Sequence, residues 1–295
     1  RERGEGGRIG GVLGCGEAVE DGAECAVAGH AQEAVSDVFG PGAGGTRFWH
    51  YAEPADAMRD ALRLSRGMSY KNAMAGLPFG GAKAVLRRPE GEFDRVALFQ
   101  AFGRAVEELG GTYVTAEDVG TSVADMQAVA SQTRHVAGLD VAEGAAGGDP
   151  SPWTALGVFE AMQAAARQSL GAELSDLTVA VQGTGNVGAA LCRRLADAGA
   201  RLVIADIDPR RRNTLAAVLN ANVVDVADIA AVEADIFAPC ALGGALDPQS
   251  VAAMQARLVC GAANNQLATP DVAELLRTRG IVYVPDYVAN AGGII

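Results

Sequence analysis

Residues 177–208 read LTVAVQGTGNVGAALCRRLADAGARLVIADID. A short apolar run over 178–182 leads directly into Gly183, Thr184, Gly185, Asn186, Val187 and Gly188. A helical pattern over 188–198 follows, and then a second apolar strand over 201–205 that ends at Asp206. In this arrangement Gly183 permits a tight turn and Gly185 lets backbone approach a pyrophosphate. Gly188 lets helix and strand pack closely, and the helix N-terminus that follows Asn186 and Val187 supplies free N–H groups and a dipole that favour an anion. Asp206 lies 23 residues after Gly183, where a carboxylate accepts from the adenosine ribose hydroxyls and repels a 2′-phosphate. The stretch therefore predicts a bound dinucleotide, NAD rather than NADP. Arg210, Arg211 and Arg212 leave NADP as an alternative. A glycine turn of purely structural purpose would not need the second strand and its terminal acid.

Outward from this stretch, the second half keeps alternating. Helical spacing is expected over 153–169, 213–219 and 271–279, and short strands at 223, 236–238, 258–261 and 281–285. That series predicts a parallel sheet with helices on both faces. The Gly-, Asp- and Pro-rich segment 139–152 reads as a hinge. The boundaries expected from it are a first domain over 35–145 and a dinucleotide-binding domain over 146–295. In the first domain a glycine-broken strand occupies 34–49, helices are expected at 54–70, 92–109 and 122–133, and strands at 84–86 and from 112. Residues 1–34 carry few large apolar side chains and no sustained period, so at most one weak strand is expected there.

The chain has 295 residues, 49% hydrophobic and 20% charged, with a formal net charge of −12. No apolar run reaches the ~18–20 residues of a membrane helix. The negative balance argues against nucleic acid or an anionic membrane as a partner. The five cysteines show no paired or metal-ligand spacing, and only three histidines are present, so no metal site is expected and a reducing cytoplasm fits best. The sequence opens on Arg1 and stops at Ile295, and both ends read as cut.

Chemistry in the first domain concentrates in SYKNAMAGLPFGGAKAVL, residues 69–86. Lys71 and Lys83 lie among glycines, where one lysine suits a substrate carboxylate. The other, if crowded and partly buried, acquires a lowered pKa and the capacity to act as a base. Two solvated surface lysines are the plain alternative. Asp118, after a strand in TAEDVGTS, is a candidate acid/base; its plain alternative is a helix cap or a surface acid.

At these residues the sequence resembles a known family. GPGAGGTRFW, LRLSRGMSYKNAMAGLPFGGAKAVL, TYVTAEDVGTS, DPSPWTALGV, VAVQGTGNVG, DIFAPCALGG, CGAANNQL and VPDYVANAGGII occur in unbroken order over residues 35–295. Together they are similar to the glutamate/leucine/phenylalanine/valine dehydrogenases, with the leucine and valine branches nearest. The resemblance implies an α/β substrate domain, a Rossmann domain and a cleft between them. It implies reversible oxidative deamination of an apolar L-amino acid to the 2-oxo acid and ammonia with NAD, in a homo-oligomer. By the same likeness, Lys71 would hold the substrate carboxylate with the backbone of Gly44 and Gly45. Lys83 would activate water, and Asp118 would move protons at the amino group. Ala43, Met68 and Ala116 would line the side-chain pocket. Thr154, Ala241, Asn264 and Asn290 would face the nicotinamide, with Asn290 also near the substrate carboxylate. The spelling Gly80, Gly81, Ala82, Lys83 is nearer the glutamate branch, but a glutamate substrate would need a further buried cation, for which Arg47 is an ambiguous candidate. A glutamate dehydrogenase and a non-catalytic dinucleotide-binding relic are the alternatives.

Overall fold

The computed structural model describes residues 40–139 and 149–295, together with the backbone of two short strands, Gly11–Leu13 and Cys25–His30. The chain divides into two units, Arg1–Asp149 and Pro150–Ile295.

The first unit is built on a mixed six-stranded sheet. Its strands are β1 (Gly11–Leu13), β2 (Cys25–His30), β3 (Gly42–Ala43), β4 (Thr46–Trp49), β5 (Gly80–Arg87) and β6 (Tyr113–Val114). The order is β1-β2-β5-β3-β6, with β4 also paired to β5. β5 is central and buried over nearly its whole length. β2 runs antiparallel to it, from Cys25 opposite Leu86 to His30 opposite Gly81. The residues before 35 thus hold two strands where the sequence suggests one at most. The small side chains of β2 carry no readable period, and its pairing is supplied by β5 from more than fifty residues away. The rest of 1–34, and positions 34–39 of the glycine-broken run, lie outside the described residues.

β3 and β4 are one strand interrupted at Gly44 and Gly45. Both halves keep the same parallel register on β5, Gly42 opposite Gly80 and Thr46 opposite Ala84. Helices α1 (Pro54–Met74), α2 (Arg95–Glu108) and α3 (Val123–Ala130) complete the unit. α1 extends past the expected end at residue 70, because Lys71 and Asn72 continue its buried face. α2 opens at a cap in which the Asp94 carboxylate accepts from the Ala97 N–H, and α3 at a reciprocal Ser122–Asp125 capping box. Phe99, Phe102, Leu98, Leu86 and Met126 are fully buried beneath them. Each such side chain contributes about 1.5–3 kcal/mol from burial alone.

The second unit carries a six-stranded sheet that is parallel throughout. Its strands are β7 (Thr178–Gln182), β8 (Arg201–Ala205), β9 (Asn222–Val223), β10 (Ile236–Pro239), β11 (Leu258–Val259) and β12 (Val282–Tyr283). Their spatial order, β9-β8-β7-β10-β11-β12, is the doubly wound order of a dinucleotide-binding fold. The direction of winding reverses between β7 and β10, so the carboxyl ends of these two strands bound the ligand crevice of this fold class. Helices α4 (Ser151–Ala165), α5 (Asn186–Asp197), α6 (Pro209–Leu219), α7 (Pro248–Ala253), α8 (Val272–Thr278) and α9 (Asp286–Ala289) connect them. Separate apolar clusters, around Leu191 and Leu195 and around Phe237 and Leu276, line the sheet. α7 was not expected from the sequence; its six residues are too short to show a period, and an Asp247–Ser250 capping box and Pro248 in the first turn start it. α4 ends at Ala165 and passes into a π-type turn over Ala166–Leu170, closed by Gly171 at φ 66°. Among the described residues, no helix is long and apolar enough to cross a membrane.

Candidate active site

In the first unit, glycines bring helix and strand into backbone contact. A Cβ on Gly81 would lie 2.1 Å from the Ser69 nitrogen, so α1 rests directly on β5 two residues before Lys71 and Lys83 respectively. A Cβ on Gly44 would lie 1.8 Å from the Ala82 oxygen and 3.2 Å from Met68 Cγ. One on Gly45 would meet the Glu117 oxygen and Asp118 Cβ, at 2.5 and 2.9 Å. Asn72 ties the same parts together, its amide donating to the Gly80 carbonyl at 2.7 Å and toward Ala43 at 3.5 Å. The Thr46 N–H donates to the Ala116 carbonyl at 2.8 Å. Ala43, Gly44, Gly45, Met68 and Ala116 therefore gather around the break between β3 and β4.

Lys71 is 8% exposed and Lys83 3%, which excludes the reading of two solvated surface lysines. Lys83 Nζ lies 2.8 Å from Asp118 Oδ2. Burial lowers the Lys83 pKa from its ordinary value, against the opposing attraction of Asp118, and the nearby Arg47 charge lowers it further. For Asp118 burial acts upward, but the Lys83 and Arg47 charges prevail and hold its carboxyl at about 2. Asp118 is no helix cap: Ser122 caps α3, and the Asp118 backbone is fixed by Thr121, whose hydroxyl accepts from the Asp118 N–H at 2.8 Å.

In the second unit the three glycines differ in surroundings. Gly183 has φ +96°, a conformation that favours glycine, and a Cβ there would strike Ala241. A Cβ on Gly188 would lie 2.0 Å from the Gly183 oxygen. Among the described residues, a Cβ on Gly185 would have only the Arg211 guanidinium within 4 Å, at 3.6 Å. Gly185 is the N-cap of α5, with Asn186 and Val187 in its first turn. Asp206 is buried, and its oxygens already accept from the Thr184 N–H and hydroxyl, at 2.6 and 2.9 Å, and from the Asp208 N–H at 2.8 Å. These hydrogen bonds outweigh burial and lower its pKa. Sequence spacing did not show that the acid braces the glycine loop as well.

Further along this crevice, a Cβ on Gly243 would touch the Asn264 carbonyl. The Asn290 amide donates to Asn264 Oδ1 at 2.8 Å and to the Ala262 carbonyl at 3.0 Å. Asn290 Oδ1 is buried with no hydrogen-bond partner among the described residues. Thr154 donates to the Pro150 carbonyl at 3.0 Å, and Gly293 packs against its hydroxyl. Trp153 beside it is 61% exposed. A dinucleotide fits these residues on two observations: the open space over Gly185 and the unsatisfied acceptor of Asn290.

Comparison with known proteins supplies the family. The family model described as Glu/Leu/Phe/Val dehydrogenase, dimerisation domain, matches residues 20–135. The model described as Glutamate/Leucine/Phenylalanine/Valine dehydrogenase matches 149–210 and 204–295. This chain belongs to the glutamate/leucine/phenylalanine/valine dehydrogenase family. The match starts ahead of residue 35, where the motifs first become readable, and takes in β2. Leucine dehydrogenase of Geobacillus stearothermophilus is 47% identical over 258 residues, 87% of this chain and 70% of that protein. Valine dehydrogenase of Streptomyces coelicolor is 49% identical over 267 residues, covering 88% and 72%. Among solved structures, L-tryptophan dehydrogenase from Nostoc punctiforme superposes with a TM-score of 0.72 at 36% identity, covering 98% of this chain and 80% of that one.

Within this family member, the residues that sequence reading missed are those that hold the named ones. Tyr113 is fully buried and donates to the Gly44 carbonyl at 2.7 Å, beside a Thr46–Thr115 hydroxyl contact of 2.5 Å. Arg47, ambiguous in the sequence, donates to Asp60 at 2.7 Å and to Asp118 at 3.4 Å.

Proposed function

We propose that this chain catalyses the NAD-dependent, reversible oxidative deamination of an apolar L-amino acid of the leucine, valine or phenylalanine type, giving the 2-oxo acid and ammonia. The observation that carries this reading is the buried Lys83–Asp118 pair, 2.8 Å apart, set beside Gly44 and Gly45 in a chain of this family. Lys71 would pair with the substrate carboxylate, aided by the N–H groups of Gly44 and Gly45. Asp118, a carboxylate throughout the physiological range, would take the proton released from the substrate ammonium. Lys83, readily deprotonated in its buried setting, would take a proton from the water that attacks the imine carbon, and would return it toward the departing ammonia.

NAD would supply the hydride acceptor. Gly183, Gly185, Gly188 and the α5 N-terminus would hold its pyrophosphate and Asp206 its ribose; Asn264, Asn290, Thr154 and Ala241 would take the nicotinamide end. The first unit would be the substrate domain and the second the nucleotide domain of a cytoplasmic homo-oligomer. Arg47 is engaged by two carboxylates, so it offers no spare charge to a substrate side-chain carboxylate. An apolar side chain would gain ~0.8 kcal/mol per buried CH₂, whereas an unpaired glutamate carboxylate would cost several kcal/mol in the same space.

An NADH-formation assay at alkaline pH over a panel of L-amino acids tests this. Leucine, valine or phenylalanine should exceed glutamate by at least ~100-fold in kcat/KM. Glutamate as the best substrate would reject the apolar reading.

A further inference from the structure

Behind the Lys83–Asp118 pair, three more side chains continue the network. Arg47 on β4 reaches Asp118 Oδ2 through Nε at 3.4 Å and Asp60 Oδ2 on α1 through its terminal nitrogen at 2.7 Å. Tyr51, in the loop before α1, donates its hydroxyl to the same Asp60 oxygen at 2.5 Å. The chain of contacts runs Tyr51, Asp60, Arg47, Asp118, Lys83. The two cations balance the two carboxylates, with Lys83 the most deeply buried of the four and Asp60 the most exposed. Arg47 and Lys83 converge on one oxygen of Asp118, so Arg47 sets where that carboxylate sits relative to Lys83.

We propose that Arg47, gripped from behind by Asp60 and Tyr51, is a positioning residue that holds the Asp118 carboxylate against Lys83 for proton transfer. This rests on the deaminating reading above. The planar guanidinium suits the task because its nitrogens span two carboxylates at once, which an ammonium does less well. The charged and titratable groups facing Arg47 are Asp118 from the loop after β6, Asp60 from α1 and Tyr51 from the loop before it. Lys83 faces the same centre from β5. Arg87, also on β5, donates to the Tyr51 carbonyl at 3.3 Å and keeps that loop in place. In this setting the positive charge of Arg47 disfavours a proton on Lys83.

The test uses the whole chain with Arg47→Met, Arg47→Lys and Asp60→Asn. Two readouts are needed: steady-state kinetics over pH, and the titration of the Lys83 side chain followed by NMR of ¹³C-labelled lysine, with Lys83→Arg assigning the resonance. Arg47→Met should lower kcat about 10–100-fold while KM changes less than about threefold. The Lys83 titration should move to higher pH, because a neighbouring like charge is gone. Arg47→Lys should restore the titration but only part of kcat, since the charge returns without the fork. If Arg47→Met does not fold, Asp60→Asn decides: a several-fold loss of kcat is expected, with the Lys83 titration moving to lower pH because a carboxylate that favours its proton is gone. A fall in Tm with an unchanged Lys83 titration and kcat within twofold would make Arg47 a strut between β4 and α1 and overturn the proposal. The NMR arm needs no turnover. A chain that deaminates nothing but shows the titration shift would sink the proposed activity and leave the positioning role standing.

Discussion

Two glycine-rich segments organise the two units, and they use glycine in opposite ways. In the first unit, missing side chains are replaced by protein: α1 closes on β5 at Gly81, and β3–β4 closes on β5 at Gly44. The result is a buried setting in which Lys83 and Asp118 are paired and the lysine loses part of its hold on its proton. In the second unit, Ala241 fills the space at Gly183 and the Gly183 backbone fills the space at Gly188, but among the described residues Gly185 meets only Arg211, at 3.6 Å. There the missing side chain leaves room for a ligand. One arrangement tunes a group that belongs to the protein, and the other, on the function proposed above, would admit a molecule that does not.

A side chain placed in each segment should separate these uses, and the larger effect should come from the first. Gly81→Val would drive atoms into the Ser69 backbone, so the first unit should fail to form its cooperative thermal transition. Gly185→Ala should leave the melting curve within a few degrees of the parent while weakening NADH binding about tenfold or more, read by fluorescence titration. A normal melt for Gly81→Val, or a collapsed fold for Gly185→Ala, would erase the contrast. Next in size, Lys71→Ala should raise KM for the amino acid about 100-fold with a much smaller change in kcat, since it removes a partner of the substrate carboxylate in ground and transition state alike. Smallest is the change in nucleotide preference. The parent should favour NAD over NADP by at least ~tenfold, and Asp206→Ser should bring the two toward parity, because Arg211 and its neighbours then outweigh the lost negative charge. Asp206 also braces Thr184 and Asp208, so this variant should bind both nucleotides less tightly.

The same contrast explains what the sequence made legible. The strands at 178–182 and 201–205 and the turn between strand and helix are local, and sequence reading places both strands where the structure has them. The parallel direction of the second unit's strands follows from the βαβ alternation; their order does not. In the first unit the contacts that matter are long-range. Gly44 meets Ala82, Asp118 meets Lys83, and β2 reaches β5 from a segment with no readable period. Lys71, Lys83 and Asp118 could be singled out by residue type and by resemblance to a family, but their burial and pairing could not. Arg47 stayed ambiguous because nothing local links it to Asp60, thirteen residues on and on another element, or to Asp118, seventy-one residues away.

The central claim is that the buried lysine of the first unit is the base. The parent's kcat/KM for deamination should rise with pH as Lys83 loses its proton. Because its pKa is lowered, that rise should come below the ordinary lysine range. Asp118, held at about 2, should add no limb near neutrality. The most direct test is Lys83→Ala, assayed from pH 6 to 10 beside a titration of NADH binding. The deamination rate should fall by a factor on the order of 10²–10⁴ and lose this rise, with NADH affinity near that of the parent. Full activity of Lys83→Ala at pH ~9–10 would contradict the account, since no base would then be needed from that side chain.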